Sequence, residues 1–281
     1  MSKSLHQCRI AVLGCGSLGH SIVSGLLAVG LAPTQITATS RRAERCAELA
    51  RALGITAHSD NGAAATAADV VILAAKPLQL ADLCRGLATG QHRDRLFVSV
   101  AAGIEVAQIR GWLAQDAAIV RAMPNTPAAL RAAATGLFAD DRVSIAQRQL
   151  TEQLFSAIGQ WVWLADEKWM NWVTALSGSG PAYFYQLMAD MVATAVAAGF
   201  PADAADLLVK QTALGAAQLA TQANAVTLAE LIRRVRSPGG TTERALNTLA
   251  EHDFAGVIAT MLTAAEQRGQ EMSAALKNTL V

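Results

Sequence analysis

A glycine-rich turn between a short apolar run and a helical segment constrains the fold of this chain more than any other feature. The apolar run at residues 9–13 leads directly into Gly14, Gly16 and Gly19, which are spaced as G-x-G-x-x-G. The first glycine permits a tight turn, the second lets a diphosphate approach the backbone, and the third allows the following helix to pack closely on the strand. The pattern therefore predicts a Rossmann-type dinucleotide-binding unit at the N-terminus.

Strand and helix patterns then alternate along the first half of the chain. Short apolar runs occur at residues 36–39, 70–73, 96–100 and 118–121, with helical segments between them. This alternation is typical of a doubly wound parallel sheet with helices on both faces. The pattern fades near residues 160–164.

Beyond that point the chain is almost entirely helical in pattern. We predict helices at residues 168–176, 182–198, 202–220, 228–235, 242–251 and 255–276. The fold class is therefore α/β, a Rossmann-type sheet followed by an all-α C-terminal domain. We place the boundary so that residues 1–164 form the dinucleotide-binding domain and residues 165–281 form a helical substrate and dimerisation domain.

The composition predicts an assembly of several copies. Charged residues make up 16% of the chain and hydrophobic residues 52%, whereas an average soluble domain has about 25% charged residues. So few charges would cover a monomer poorly, and we expect at least a homodimer built through the C-terminal helices. A net charge of +1 gives no electrostatic reason to expect nucleic acid or an anionic membrane as a partner.

Targeting and redox signals indicate a cytoplasmic protein. The apolar runs are shorter than the roughly 18 residues of a membrane helix, and the N-terminus lacks the features of a signal peptide. The four cysteines, Cys8, Cys15, Cys46 and Cys84, are spaced neither as a disulfide framework nor as a zinc site. We expect buried free thiols and no metal.

The end of the second predicted strand indicates which dinucleotide binds. Enzymes that use NAD usually carry an Asp or Glu there, which holds the ribose 2′-hydroxyl. This chain has Ser40, Arg41 and Arg42 instead. A guanidinium grips a 2′-phosphate that a carboxylate would repel. We therefore predict NADPH, with NADH a weaker cofactor; the alternative for either arginine is a solvated surface position.

Two further runs carry a resemblance to a known family. "SGSGPAY" at residues 177–183 and "SPGGTT" at residues 237–242 interrupt helical regions with glycine, proline and hydroxyl groups. Together with the N-terminal glycine turn, they resemble pyrroline-5-carboxylate reductase, the enzyme that completes proline biosynthesis. The resemblance covers nearly the whole chain. It implies NADPH-dependent hydride transfer to a cyclic imine, and larger rings of dimers as one form of assembly.

The resemblance also implies which residues contact the cofactor. They belong to the glycine turn, the arginine-bearing strand end, "SDNGA", "LAAKP", "VAAG" and "RAMPNTP". These residues are Gly14, Gly16, Ser17, Leu18, Gly19, Ser40, Arg41, Arg42, Asn61, Ala74, Ala75, Lys76, Pro77, Ala101, Ala102, Gly103, Met123 and Asn125. The family usually has a glycine shortly after "RAMPNTP", where this chain has Arg131 and Ala132, so the shape of that loop is left open.

On the substrate side, the resemblance implies that the Thr242 hydroxyl hydrogen-bonds the imine nitrogen and acts as the catalytic contact. The substrate-binding residues that it implies are Ser177, Ser179, Gly180, Ser237, Gly239, Gly240, Thr241 and Thr242. The backbone amides of "GGT" would bind the substrate carboxylate. The structural alternatives are a helix cap for Thr242 and a packing turn for "SGSGPAY". No nucleophile or metal is needed, because the cofactor supplies the hydride.

Two other functions compete with this interpretation. β-Hydroxyacid dehydrogenases share the architecture and use a lysine on the first helix after the boundary, where this chain has Lys168, with Asn171 nearby. Alcohol oxidation needs a group that accepts the hydroxyl proton, and Lys168 is the candidate. The second alternative is a protein that binds NADP without catalysis, for which "SPGGTT" would have no substrate to hold.

Overall fold

The computed structural model describes residues 4–88, 90, 95–222 and 226–280. It divides into two compact units. The sheet unit comprises Met1–Ser179 and Ala265–Val281, and the helical unit comprises Gly180–Ala264. The boundary after residue 164 was predicted from the sequence pattern, whereas the two compact units are defined by contacts within the structure. The predicted boundary therefore stays a prediction.

The sheet unit contains the predicted alternation of strands and helices. Its strands are β1 Ile10–Leu13, β2 Ile36–Thr39, β3 Thr56–His58, β4 Val70–Leu73, β5 Leu96–Ser99, β6 Ala118–Met123, β7 Ala133–Ala139 and β8 Gly159–Trp163. Its helices are α1 Ser17–Ala28, α2 Ala43–Leu53, α3 Asn61–Ala67, α4 Pro77–Leu87, α5 Val106–Leu113, α6 Ile145–Ser156 and α7 Met170–Val173. Single turns of 3-10 helix lie at Leu5–Gln7, Pro33–Gln35, Thr126–Leu130 and Glu167–Trp169, and a π-helical turn lies at Thr174–Gly178.

The eight strands form one sheet in the order β3-β2-β1-β4-β5-β6-β7-β8. Neighbours are parallel except β6 and β7, which are antiparallel, with Val120 opposite Ala139. The strand order reverses between β1 and β4, and the carboxyl ends of β1, β2 and β4 therefore meet at one edge. Such a switch point is where open α/β sheets bind their ligands.

Both faces of this sheet are buried. Along β1, Ile10 and Val12 belong to one hydrophobic cluster, whereas Ala11 and Leu13 belong to the other. Helices α1 and α6 cover the first cluster, and α4 and α5 cover the second. A strand that is buried on both faces is apolar along most of its length, which is why the short apolar runs predicted these strands correctly.

Three strands were not predicted as strands from the sequence. β3 has only three residues, and none of them is fully buried. β7 contains Gly136, where the Cβ of any other residue would collide with Val173, and β8 alternates between half-buried and exposed residues. The helix predicted at residues 168–176 is also different, because a 3-10 turn, the short α7 and the π-helical turn share this segment.

The helical unit contains the helices expected from the sequence. They are α8 Gly180–Ala197, α9 Ala202–Gln222, α10 Leu228–Val235, α11 Thr241–Glu251 and α12 Phe254–Thr279, whose last residues belong to the sheet unit. Among the described residues of the helical unit, only Gly180 and Ala205 are fully buried. No helix in the described ranges is both long and apolar enough to span a membrane.

Candidate functional site

The glycine turn after β1 has the geometry that its three glycines predict. Gly14 has a φ of +76°, and a Cβ there would lie 2.9 Å from Ala75 Cα. A Cβ on Gly16 would meet nothing within 4 Å, so this backbone is open to a ligand. A Cβ on Gly19 would lie 3.1 Å from Val12 Cγ1, which reflects the close packing of α1 on the strand. Each glycine therefore has a different role.

The end of β2 fixes this turn in place. The Gly14 amide donates to Thr39 Oγ1 at 3.1 Å, and the Thr39 hydroxyl donates to Asn61 Oδ1 at 2.6 Å. Thr39 is buried, and the sequence analysis did not select it. The sequence could have indicated Thr39, because a hydroxyl that is buried at a strand end needs a hydrogen-bond partner.

A cavity of about 440 Å³ lies over the glycine turn and the ends of β2 and β4. Nine predicted cofactor residues line it: Gly14, Gly16, Ser40, Arg41, Arg42, Asn61, Ala74, Ala75 and Lys76. Six lining residues were missed: Cys15, Thr39, Arg45, Gln79, Asp82 and Leu83. The predicted residues Ser17, Leu18 and Gly19 lie in the first turn of α1, and Pro77 begins α4.

The amides at the start of α1 are available to an anion. The first bond from the helix to its cap runs from the His20 amide to the Gly16 carbonyl. Within the described chain, no acceptor contacts the amides of Ser17 or Leu18. Free amides at a helix N-terminus favour a negatively charged group such as a phosphate.

Three guanidinium groups border the cavity at the end of β2. Arg41 and Arg42 are exposed and form no ion pair with any residue that the structure describes. Arg45 lies further along, in the first turn of α2, and its Nη1 atom is 3.1 Å from Glu48 Oε2. Arg45 follows Arg42 by three positions, so the helical spacing already placed both on one face. β2 ends without a carboxylate, so the charged side chains that the structure places at its end are these three arginines.

The cysteine in the glycine turn is not a nucleophile. Cys15 is buried, and burial is the main reason why its pKa rises to about 11. The neighbouring Arg45 lowers this pKa and Cys46 raises it, each by less than the burial does. The thiol is therefore protonated at neutral pH, as expected of a packing residue.

The loop after β6 is joined to the first part of "SGSGPAY" within the sheet unit. Asn125 Nδ2 donates to the Ser177 carbonyl at 3.0 Å, and Asn125 Oδ1 accepts from the Ala134 amide at 2.9 Å. A Cβ on Gly178 would lie 2.9 Å from Met123 Cε. The loop predicted to border the nicotinamide therefore contacts the turn predicted to border the substrate.

The serine hydroxyls of that turn differ in their contacts. Ser177 Oγ donates to the Val173 carbonyl at 2.9 Å, so this hydroxyl is engaged inside the π-helical turn. The Ser179 amide donates to the Thr174 carbonyl at 2.8 Å, and no described atom accepts from the Ser179 hydroxyl. π-Helical turns are rare in proteins, and those that do occur are often found at functional sites.

The remaining predicted cofactor segment is "VAAG", which follows β5. The C-terminal end of α12 packs against this segment. Gly103 has a φ of +75°, and a Cβ there would lie 3.1 Å from Leu276 Cδ1. Neither Ala101, Ala102 nor Gly103 lines the cavity over the glycine turn, and the same is true of Met123 and Asn125.

Arg131, one of the two residues in the region where the resemblance implies a glycine, adopts a left-handed backbone conformation. Arg131 has a φ of 58° and a ψ of 30°, in the left-handed region. Its Nε atom donates to the Ala157 carbonyl at 3.2 Å. The loop therefore keeps a left-handed residue at this point, at an energetic cost that glycine would avoid.

The "SPGGTT" segment forms a tight turn before α11. The Gly240 amide donates to the Ser237 carbonyl at 3.0 Å, Pro238 occupies the second position, and Gly239 has a φ of +73°. This combination is that of a type II turn. A Cβ on Gly240 would collide with the Ser237 hydroxyl. The positive φ of Gly239 is the feature of this turn that favours glycine.

The cap of α11 differs from the expectation. Gly240 is the N-cap residue, and no side chain caps the helix there. Neither Thr241 nor Thr242 donates or accepts a cap bond through its hydroxyl, so the helix-cap role considered for Thr242 is wrong. The Gly239 amide instead donates to Glu243 Oε2 at 2.8 Å.

The lysine considered for alcohol oxidation is on the surface. The Lys168 side chain is 67% exposed, and its Nζ atom lies 2.8 Å from Asp166 Oδ2. The side-chain hydrogen bond from Lys168, followed by the one from its backbone amide, lowers the pKa of Asp166. The structure therefore places this lysine in an exposed ion pair and not among buried polar groups.

Comparison with known proteins agrees with this geometry. Residues 167–272 match the family model "Pyrroline-5-carboxylate reductase dimerisation", and residues 9–103 match "NADP oxidoreductase coenzyme F420-dependent". A pyrroline-5-carboxylate reductase of Pseudomonas aeruginosa is 43% identical over 94% of this chain and 97% of its own length.

Solved structures agree as well. A pyrroline-5-carboxylate reductase from Coxiella burnetii superimposes with a TM-score of 0.90 at 37% identity, covering 94% of this chain and 98% of the other. The Plasmodium falciparum pyrroline carboxylate reductase with NADP bound shares the fold, with a TM-score of 0.83 at 20% identity over 95% and 99% of the two chains. Because it is similar to these relatives along almost its entire length, this chain belongs to the pyrroline-5-carboxylate reductase family.

Proposed function

We propose that this chain reduces 1-pyrroline-5-carboxylate to L-proline with NADPH, the last step of proline biosynthesis. The observation that carries the proposal is the 43% identity to a reductase of that name over 94% of the chain. The glycine turn and the arginine cluster lie in residues 9–103, and the "SPGGTT" turn lies in residues 167–272, the two segments that match family models. An NAD(P)H-dependent oxidoreductase that acts on a C–N bond needs no nucleophile from the protein.

The glycine turn fits a dinucleotide. Its open side at Gly16, where a Cβ would meet nothing within 4 Å, leaves space for a diphosphate next to the free amides of Ser17 and Leu18. Arg41 and Arg42 would hold the 2′-phosphate, with Arg45 as a third cation. NADPH, when bound, supplies the hydride, and NADH would bind more weakly because it lacks that phosphate.

The other predicted cofactor residues complete this proposal. Lys76 is at the N-cap position of α4 and lines the same cavity. Ala101, Ala102 and Gly103 would lie along the cofactor further from the phosphate. Asn125 uses its amide to hold the loop against the Ser177 carbonyl, so we assign it a positioning role beside Met123 near the nicotinamide.

The substrate would be held by the two glycine- and hydroxyl-rich segments. We assign the Thr242 hydroxyl to the imine nitrogen, where a single hydrogen bond orients and polarises the C=N bond. Ser179 and Gly180 would form a wall of the substrate pocket, together with Ser177 through its backbone. Ser237, Gly239 and Gly240 would shape the turn that carries Thr241 and Thr242.

The chain should function as a homodimer at least, with rings of dimers as a further level. In the helical unit, large apolar side chains are exposed while the described residues have almost no buried core of their own. They include Phe184, Leu187, Met191, Phe200, Leu207 and Leu214. Large apolar side chains exposed in this number indicate an interface between subunits, and an obligate interface buries on the order of 2,000 Å² or more. Light scattering at low micromolar concentration should give twice the mass of the chain or a multiple of that dimer mass. A single monomeric species would contradict the dimer.

A cytoplasmic location remains part of this proposal.

The activity can be tested directly by the fall of NADPH absorbance on addition of 1-pyrroline-5-carboxylate. We expect a kcat/KM on the order of 10⁴ M⁻¹s⁻¹ or higher, as for typical enzymes. A panel of 2-hydroxy acids and 2-keto acids serves as the control and should give no comparable rate. Turnover of a hydroxy acid that depends on Lys168, without turnover of the cyclic imine, would instead establish the dehydrogenase alternative.

A further inference from the structure

A carboxylate that the sequence analysis did not select holds the "SPGGTT" turn. Glu243 lies in the first turn of α11. Its Oε2 atom accepts from the Gly239 amide at 2.8 Å. Its Oε1 atom accepts from Arg236 Nη2 at 2.9 Å and from Arg236 Nε at 3.1 Å. Both carboxylate oxygens are therefore bound to the segment that precedes the helix.

The amides of the turn divide into two groups. Those of Gly239 and Gly240 donate to Glu243 and to the Ser237 carbonyl, respectively, so neither is available to a ligand. Within the described chain, no acceptor contacts the amides of Thr241 or Thr242. The first free donors at this end of α11 are therefore the amides of the two threonines, one of which also carries the hydroxyl assigned to the imine.

We propose that Glu243 is a positioning residue for the substrate, which fixes residues 236–240 so that the Thr241 and Thr242 amides receive the substrate carboxylate. The inference rests on the proposed function, because it assumes that this turn binds pyrroline-5-carboxylate. Two consecutive glycines give the turn many conformations in the absence of a tether. The bonds from Glu243 select one of them before the substrate arrives, which reduces the entropy lost on binding.

Charge supports the same role. A carboxylate beside an anion-binding site would repel the substrate if it stood alone. Arg236 contacts Glu243 through two nitrogens and offsets that charge. The hydrogen bond from the Gly239 amide, and then the bond from Arg236, lowers the pKa of Glu243. The carboxylate therefore stays ionised and bound to both partners at neutral pH.

The test compares Glu243→Ala with a matched control on the neighbouring helix. Glu230 lies on α10, forms ion pairs with Arg233 and Arg234, and has a side chain 31% exposed against 30% for Glu243. Among the described residues, the Glu230 side chain pairs with Arg233 and Arg234 and not with the turn, so Glu230→Ala removes ion pairs of similar exposure without disturbing residues 236–240. Glu243→Gln is the conservative variant, since its carbonyl oxygen still accepts from the Gly239 amide.

We expect Glu243→Ala to raise the KM for pyrroline-5-carboxylate and the inhibition constant of L-proline by about tenfold, with NADPH KM unchanged. Glu243→Gln should raise both by about threefold, because the bond from the Gly239 amide survives while the ion pair with Arg236 is lost. Glu230→Ala should leave them unchanged. Purely structural damage would instead lower the melting temperature and the amount of active enzyme, with the KM values intact.

Two results would overturn the assignment: an unchanged KM for the imine in Glu243→Ala, or an equal rise in Glu230→Ala. If Glu243→Ala fails to fold, Glu243→Gln decides, because an unchanged KM in that variant refutes the role. Wild-type protein that does not reduce pyrroline-5-carboxylate would refute the proposed function itself. Active wild-type protein with normal Glu243 variants would refute only the positioning role.

Discussion

Replacing Gly16 by alanine should weaken cofactor binding while leaving the fold intact. The backbone there has φ −84° and ψ −153°, which an L-residue adopts without strain. The new Cβ would meet nothing within 4 Å in the protein. The methyl group would therefore enter only the space assigned to the diphosphate.

The stability terms of this substitution nearly cancel. Alanine restricts the unfolded chain, which stabilises the fold by about 0.4–1 kcal/mol, but it is a poorer N-cap residue than glycine by about 1 kcal/mol. The melting temperature should therefore change by only a few degrees. Losing one charge-assisted contact to the phosphate costs about 1.5–3 kcal/mol, which weakens NADPH binding roughly ten- to a hundredfold.

Gly14→Ala is the contrasting variant two residues earlier. Gly14 has a φ of +76°, and its new Cβ would lie 2.9 Å from Ala75 Cα. The left-handed conformation costs about 1–2 kcal/mol, and the backbone overlap adds about 1–3 kcal/mol. This variant should lose several degrees of melting temperature. Titration of NADPH followed by fluorescence, together with thermal unfolding, separates the two. Normal NADPH affinity in Gly16→Ala would refute the placement of the diphosphate.

Three more sets of substitutions test other parts of the chain. Arg41→Ala combined with Arg42→Ala should weaken NADPH binding about ten- to a hundredfold and NADH binding far less; equal losses would contradict the NADPH preference. Thr242→Val should lower kcat/KM for the imine by about one to two powers of ten at unchanged NADPH KM, and normal turnover would remove Thr242 as the catalytic contact. Arg131→Val should lower the free energy of unfolding, measured in urea, by about 2 kcal/mol because a β-branched residue fits the left-handed region badly. The control Arg131→Gly should stay within about 1 kcal/mol of the wild type. Equal stabilities of the two variants would show that the left-handed conformation carries no strain.

The strands and helices of the sheet unit were largely predictable because their signals are local. β2, α2 and β4 begin and end at the residues expected from the sequence, as does α10 in the helical unit. α2 ends where Gly54 adopts a φ of 68°, a conformation that glycine takes without strain. β3, β7 and β8 lacked such signals, since they are short, interrupted by glycine, or half exposed at the edge of the sheet.

The candidate site was predictable in its chain segments and much less so in its contacts. The sequence identified the glycine turn, the arginines at the end of β2 and the "SPGGTT" turn, because glycine, proline and clustered charge act over a few neighbouring residues. It did not identify Thr39 as the residue that holds the turn, or Arg45 as the third cation. Nor did it reveal that the Gly239 amide donates a hydrogen bond to Glu243 and is therefore not free for a ligand.

The sequence alone determined the fold class and the segments that bind cofactor and substrate, since hydrophobic periodicity and glycine conformations depend on nearby residues. Only the tertiary structure decided which polar atoms are free and which are used within the protein. The bond from Asn125 to Ser177 joins positions 52 residues apart, and the bond from Thr39 to Asn61 joins positions 22 apart. Such partners come together only when the strands and helices pack, because buried polar groups take whichever partner the fold brings within reach.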